Sequence, residues 1–393
     1  MNKQVVINKI GEGFLLKGQN WMYRNNLVMM DEDIVNGEEV DVVGEEGNYI
    51  GNGFVSLQSH VVVRLYSRKK EVLDEAFFRK KIISAYKFRK SVEKDNLSNC
   101  RLIFGEADGL GGLTVDRYNE VLVTQISSYG IEIRKEMIYK LLLEIIEGSK
   151  TIYERNDIAI RSKEGLAQYK GFYGDAVATK TVINENGLLL NVDIENGQKT
   201  GYFLDQKSNR VIVRHLAKDK KVCDCFSHTG GFALNAALGG AIKVASVDVS
   251  KTALDQGYAN AKLNGLEDKI EFVQADVFDY LDELKPDEFD MIILDPPAFT
   301  KSRRTVDHAY NGYKRINKRA MDLLRDEGYL VTCSCSRYME TDLFEKMLRE
   351  AASEVGVTLK QVSVTQQNSD HPILWTMEET SYLKFFVFQV VEV

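Results

Sequence analysis

From about residue 190 onward, short apolar runs alternate with amphipathic stretches, and few folds accommodate that pattern. Val222–Phe226, Val244–Asp248, Ile270–Val273, Met291–Asp295 and Tyr329–Cys333 read as buried strands, with helices such as Phe232–Leu238 and Ser250–Asn264 between them. Repeated strand–helix units imply a mostly parallel, doubly wound α/β sheet, Rossmann-like in class. Each run leads into a polar segment: Asp224–Gly231, then Asp248, Asp276, Asp295–Phe299 and Cys333–Ser336. In such a sheet these segments meet at the carboxyl ends of the strands, where open α/β sheets take their ligands. Singly they are weak signals; along one edge they make a site.

The chain of 393 residues suits two or three domains. Residues 1–70 carry short alternating runs (Val40–Val43, Val61–Leu65) punctuated by Asn36-Gly37, Glu46–Asn48 and Gly51–Gly53, which predict a small β-barrel. Residues 71–190 predict a second, α+β unit. It has a helix over roughly 70–93, a hairpin around the glycine-rich segment Arg101–Tyr118, a strand at Val121–Ser127, a helix at Glu132–Glu147 and a strand at Thr151–Arg155. Residues 191–393 form the third part. No apolar stretch is long enough to span a bilayer, and Met1–Ile10 lacks the apolar core of a secretion signal. Five cysteines, an odd number with four in Cys-x-Cys pairs, suit reduced thiols in the cytoplasm better than a disulfide framework.

A net charge of −7 argues against indiscriminate coating of nucleic acid, but its distribution is uneven. Residues 30–46 hold eight acidic side chains and no basic one, whereas residues 68–94 hold ten basic and four acidic. Arg79–Lys81 with Lys87, Arg89 and Lys90 can be a solvated helix face. The neighbouring Phe77, Phe78, Tyr86 and Phe88 favour a surface that tracks a phosphate backbone.

In Asp224–Gly231 the chain leaves a strand and starts a helix through Phe226, Thr229 and Gly230. Glycine permits close approach of a ligand, and the helix N-terminus favours its negative groups. The full G-x-G-x-x-G is absent, and no phosphate loop of the G-x-x-x-x-G-K-[ST] type occurs, which disfavours nucleoside triphosphates. Asp248 is placed to accept ribose hydroxyls, and Asp276 an adenine amino group; capping a helix is the alternative for either. Three aspartates at successive strand ends resemble the S-adenosylmethionine site of class I methyltransferases.

Asp295-Pro296-Pro297 sets one carboxylate at a rigid turn, suited to the ring nitrogen and exocyclic amine of a cytosine, with Phe299 to stack on the base. A plain strand-ending turn is the alternative. C5 of cytosine needs a thiolate at C6 before it can accept a methyl group. Cys333 and Cys335 lie on one side of an extended strand; Cys335, nearer the crevice, is the favoured nucleophile and Cys333 a buried small hydrophobe. Zinc is not expected at Cys223/Cys225 and Cys333/Cys335, because the two strands should be next-but-one neighbours, about 10 Å apart.

With these motifs in place, the chain resembles, nearly end to end, the bacterial ribosomal RNA large-subunit (23S) methyltransferases that make 5-methylcytosine. The matching segments are Gly18–Tyr23, Gly105–Leu110, Gly197–Asp205, Leu294–Phe299, Cys333–Ser336 and Asp370–Pro372. The resemblance implies a PUA barrel and a central α+β domain before the methyltransferase domain. It also implies that Lys199 and Phe203 line the methyl-donor pocket. Two departures stand out: Gln19-Asn20 replace the usual His-Pro before the barrel tryptophan, and Ala298 stands where many RNA cytosine methyltransferases carry a second cysteine. A one-cysteine mechanism is implied, with catalytic Cys335 and Asp295.

In the loop beyond, Lys301, Arg303, Arg304 and Tyr310 could grip phosphates and a neighbouring base, a flexible solvated loop being the alternative. The partner expected is 23S RNA or a large-subunit precursor, without membrane or metal, and a homodimer stays open. An amino-methyltransferase acting on adenine or guanine would need no thiol. An idle RNA-binding assembly factor would need no cofactor.

Overall fold

The apolar runs beyond residue 220 become neighbouring strands of one sheet. The computed structural model describes residues 2–300, 302–324 and 327–393. Strands β1 (Lys221–Cys225), β2 (Lys243–Asp248), β3 (Ile270–Gln274), β4 (Met291–Leu294), β5 (Tyr329–Ser334), β6 (Val357–Thr365) and β7 (Lys384–Glu392) are ordered β3-β2-β1-β4-β5-β7-β6. β1 to β5 pair in parallel; β7 runs antiparallel to β5 and to β6. Strand order reverses at β1, between β2 and β4, so the crevice of a doubly wound sheet opens at their carboxyl ends. Met291, Ile292, Ile293 and Leu294 are fully buried, as a central parallel strand covered on both faces must be.

Helices α1 (Lys207–Leu216), α2 (Gly231–Leu238), α3 (Lys251–Leu263), α4 (Val277–Glu283), α5 (Val306–Leu324) and α6 (Thr341–Val355) fill the connections. Local chemistry sets their ends. Ser250 accepts from Ala253 N to start α3, and Gly356 stops α6 at φ 80°. Ala309, Tyr313, Ile316 and Ala320 of α5 join Phe344 and Met347 of α6 in the core with Ile292, Leu294 and Leu330.

The N-terminal part holds two sheets. Trp21–Tyr23, Val61–Ser67, Tyr49–Val55, Glu39–Gly44, Lys3–Ile7 and Leu27–Met30 form one in that order, around Val5, Ile7, Val40, Val42, Val62 and Val63. Two details differ from expectation. Lys9–Leu16 is a helix capped by Asn8, which accepts from Gly11 N; eight residues with two glycines give too short a periodic signal to read. Gly51–Gly53, expected in a turn, lies inside a strand. A Cβ on Gly53 would sit 2.0 Å from the Arg64 carbonyl oxygen, so the glycine permits backbone approach beside a bulge.

The second sheet is ordered Lys170–Tyr173, Thr151–Arg155, Val121–Ile126, Leu113–Tyr118, Asn99–Phe104, with the expected hairpin at its end. Helices Glu75–Val92 and Lys135–Ile145 bury Phe78, Ile82, Ile138 and Leu142 in the same core as Leu102, Val115 and Leu122.

The chain divides into two compact units. The first comprises residues 1–183, 192–204 and 369–380; the second comprises 184–191, 205–368 and 381–393. The division therefore does not fall at residue 190. Side-chain bonds explain which segments cross. Thr200 Oγ1 donates to Asp116 Oδ2 at 2.6 Å and Asp370 Oδ2 accepts from Arg101 N at 2.9 Å, both within the first unit. Glu185 pairs with Arg210 at 2.8 Å in the second. Among the described residues no helix is long and apolar enough to cross a membrane.

Candidate active site

β1 runs into a tight turn whose Phe226 (φ 60°), His228 (φ 51°) and Gly230 (φ 78°) are left-handed, placing the turn directly before α2. Ser227 pins it: its N donates to Val247 O at 3.0 Å and its Oγ accepts from Ser246 Oγ at 2.8 Å. Thr229 is buried within the turn. Asp224 has a different task from the ligand contact expected. It is fully buried and its Oδ2 accepts from Ala233 N at 2.8 Å, which secures the first turn of α2. Burial pushes its carboxyl well above the usual carboxylate range, and Asp295 and Asp248 add to the effect.

Asp248 is half-buried and oriented by two backbone donors: His228 N to Oδ2 and Ser250 N to Oδ1, both at 2.8 Å. Each oxygen keeps a lone pair, so the carboxylate suits a vicinal diol such as a ribose edge. The cap of α3 is Ser250 rather than Asp248. Asp276 does cap α4, its Oδ1 accepting from Phe278 N at 2.8 Å, while the residue stays exposed at the end of β3. A glycine-bearing turn, a fixed carboxylate and an exposed acceptor at three adjacent strand ends are a donor set that fits an adenosyl cofactor.

Beyond β4, Asp295 is half-buried and its Oδ2 accepts from Gln206 Nε2 at 3.1 Å. Gln206 is steadied in turn, its Oε1 accepting from Asn209 Nδ2 at 2.7 Å. Pro296 is buried and Pro297 exposed. Cys335 follows the end of β5, half-buried, with Sγ 4.0 Å from the Pro296 carbonyl oxygen. Cys333 is fully buried, and burial pushes its thiol well above the ordinary range. Cys333 therefore packs in the core as expected, and Cys335 stands half-exposed beyond the end of β5.

Two groups around the thiol, Tyr313 and Lys384, gave no signal in the motifs. Ser334 Oγ donates to the Tyr313 hydroxyl at 3.1 Å, and that hydroxyl lies 3.0 Å from Ser336 Oγ, so both neighbours of Cys335 are fixed by one phenol. Burial pushes the Tyr313 hydroxyl up to about 12, which keeps it protonated. Lys384, at the start of β7, is buried and donates Nζ to Ser336 O and Met339 O, both at 2.8 Å. Burial lowers its pKa to about 8, against an attraction to Cys335 that raises it. A lone lysine at the head of an otherwise apolar run, Lys384–Val387, is the sequence trace of this arrangement.

Other expected site residues are placed elsewhere or otherwise engaged. Phe299 is not a free stacking ring; its centroid lies 4.6 Å from Tyr313, 6.3 Å from Phe278 and 6.4 Å from Phe226. Tyr310 donates its hydroxyl to Glu350 Oε2 at 2.7 Å. Arg303 and Arg304 are exposed, and Lys301 lies outside the described residues. Lys199 and Phe203 belong to the first unit, where the ammonium stands 4.4 Å from the ring centroid. Cys223 and Cys225 are buried with their sulfurs 3.6 Å apart. Among the described residues no group of three His, Cys, Asp or Glu side chains is placed to hold a metal.

Comparison with known proteins identifies the family and the fold. The family described as S-adenosylmethionine-dependent methyltransferase matches residues 167–372, and a PUA-like domain matches residues 5–68. Ribosomal RNA large subunit methyltransferase I of Klebsiella pneumoniae (strain 342) is 38% identical over 394 residues, covering 99% of this chain and 98% of the relative. The protein of the same name from Vibrio vulnificus (strain CMCP6) is 38% identical over 398 residues, with full coverage of both. Among solved structures, a putative methyltransferase from Streptococcus mutans superposes with a TM-score of 0.83 at 24% identity, covering 98% of this chain and 99% of that one. A putative methyltransferase complexed with SAH gives 0.84 at 23% identity, with coverage of 98% and 99%. These two likenesses concern the fold.

Proposed function

Because the chain belongs to the family of ribosomal RNA large subunit methyltransferase I, S-adenosylmethionine-dependent enzymes with an N-terminal PUA-like domain, we propose that it methylates C5 of a cytosine in 23S RNA through a covalent adduct on Cys335. The observation that carries this reading is the thiol itself. It stands at the rim beside the Asp295-Pro296-Pro297 turn, while Cys333 two residues earlier is sealed in the core.

S-adenosylmethionine supplies an electrophilic methyl group when bound. The turn Phe226–Gly230 and the carboxylates of Asp248 and Asp276 would hold its adenosyl part. The target base leaves its stack to enter the crevice. Asp295, held by Gln206, accepts from the exocyclic amine and orients the ring. The Cys335 thiolate would bond to C6, and the electron pair displaced to C5 would take the methyl group as its bond to the sulfonium sulfur breaks, leaving S-adenosylhomocysteine. Loss of the C5 proton to a base then restores the C5–C6 double bond and expels the thiolate, so Cys335 ends as it began. Ala298 leaves no second thiol on the proline turn to assist that expulsion.

The substrate is the RNA of the large subunit, free or in a precursor particle, and the work is done in the cytoplasm by a monomer or a homodimer. Cys335→Ser should abolish methyl transfer and leave S-adenosylmethionine binding by calorimetry unchanged; turnover retained in this variant would end the thiol mechanism and favour an amino-methyltransferase. Bisulfite sequencing of ribosomal RNA from cells lacking the gene should lose the signal at one cytosine.

A further inference from the structure

The first unit contains a cavity of about 640 Å³ lined by Asn20, Tyr66, Arg68, Lys81, Phe88 and the turn around Leu374 and Thr376. Its acidic lining is already committed. Glu106 Oε1 accepts from Trp21 Nε1 at 2.7 Å, and the two oxygens of Asp108 accept from Arg89 at 2.5 and 2.8 Å. Its basic lining makes no ion pair among the described residues. Arg68 donates Nη2 to the backbone carbonyls of Gln19 at 3.0 Å and Leu15 at 3.2 Å. The Lys81 ammonium lies against Gly109, 5.3 Å from the Phe77 ring centroid. Among the described residues neither Arg68 nor Lys81 makes an ion pair. Burial lowers the pKa of both, and for Lys81 it outweighs the opposing attraction of Glu71.

Beside this cavity stands the most exposed aromatic of the molecule. Trp375 is 94% exposed, between the lining residues Leu374 and Thr376. It rides on an ordered turn: Met377 N donates to Leu374 O at 2.8 Å, and Thr380 Oγ1 donates to Met377 O at 2.8 Å. Thr376 packs on Gly18, where φ is +104° and a Cβ would come within 2.5 Å of its side chain. Phe88, 39% exposed, adds a second ring at the cavity wall. An indole left in water on a hydrogen-bonded turn, beside a cavity whose lining holds two cations that make no ion pair, combines a stacking surface with a charge track for a sugar–phosphate chain.

We infer that this cavity binds single-stranded RNA, with Arg68 and Lys81 on backbone phosphates and Trp375 stacked on an unpaired base. The inference rests on the reading of the substrate as RNA and adds where, outside the methyl-transfer crevice, that RNA is held. Sequence-tolerant stacking on Trp375 and phosphate contacts at Arg68 and Lys81 would fix an unpaired segment without reading bases.

The test uses the full chain and a fluorescein-labelled ten-nucleotide single-stranded RNA, with its duplex as comparator. Trp375→Ala should weaken binding of the single strand about five- to a hundredfold, the range for loss of one stacked base. Arg68→Gln with Lys81→Gln should lower the slope of log affinity against log salt by about 1.4, two single-strand phosphates. In a Trp21→Phe background Trp375 is the sole tryptophan, and RNA should quench its fluorescence. S-adenosylmethionine binding by calorimetry should be unchanged in every variant, which shows that each one folds. Wild-type affinity in Trp375→Ala together with an unchanged salt slope overturns this site and leaves the methyltransferase reading standing. A chain that binds neither RNA overturns both.

Discussion

Lys384 shows how one buried cation can serve a thiol through the backbone that carries it. Its ammonium bridges the carbonyls of Ser336 and Met339, so it holds the backbone that carries Cys335. Its pKa in the fold, about 8, lies below its ordinary value of 10.5. Between those two values the unfolded chain binds more protons than the folded one, so this group makes the fold more stable as pH rises through that window. Lys384→Met should flatten that part of the stability–pH profile, read as the denaturant midpoint from pH 8 to 10.5. The same variant should slow alkylation of Cys335 by iodoacetamide near pH 7.5, and Lys384→Arg should restore it. Equal alkylation rates in all three proteins would leave Lys384 a structural role alone. The half-exposed thiol was legible in the sequence because Cys335 lies further toward the strand end than Cys333, which is buried. Lys384, Tyr313 and Gln206 were not, because their roles depend on elements far apart in the chain meeting beside that strand.

The helix Glu75–Val92 separates what a charge pattern suggests from what packing does with it. Its basic residues read either as a solvated face or as one that tracks phosphates. The fold distributes them: Arg79 pairs with Glu75 and Glu144, Lys90 pairs with Glu147, and Arg89 is sealed inside against Asp108. Arg89 also donates to Arg101 O and Asp370 O, both at 2.9 Å, so it ties three segments of the first unit together. Arg89→Met should destabilise the protein by about 3–5 kcal/mol, because Asp108 is then left buried without its partner. Arg79→Ala, on the exposed face, should leave the denaturant midpoint unchanged. A small effect at Arg89 in equilibrium unfolding would contradict the burial seen for that ion pair. Periodicity revealed the helix and its amphipathic character. It did not reveal that one arginine points inward, since arginine carries the same signal on either face.

Across the whole molecule, all five cysteines are free, four are buried and Cys335 is half-exposed. Iodoacetamide applied to the native protein should therefore label one thiol per chain, at Cys335, and all five after denaturation; native labelling of Cys333 would contradict the active-site geometry. The α/β class, the parallel sheet and the rim on which Asp248, Asp276, Asp295 and Cys335 stand were readable from residue order. Strand–helix alternation and the right-handed crossover leave few alternatives, and every parallel strand delivers its last residue to the same edge. Residue order did not show that Asp224 turns inward to hold α2, that Phe299 stacks within its own protein, or that residues 192–204 and 369–380 leave the C-terminal part for the first unit. Nor did it single out Trp375, which stands between Leu374 and Thr376 of the cavity that Arg68 and Lys81 also line. Local patterns encode which elements form and in what order. Which polar side chain is sealed, paired or left facing water depends on contacts between distant segments, and those exist only once the chain has folded.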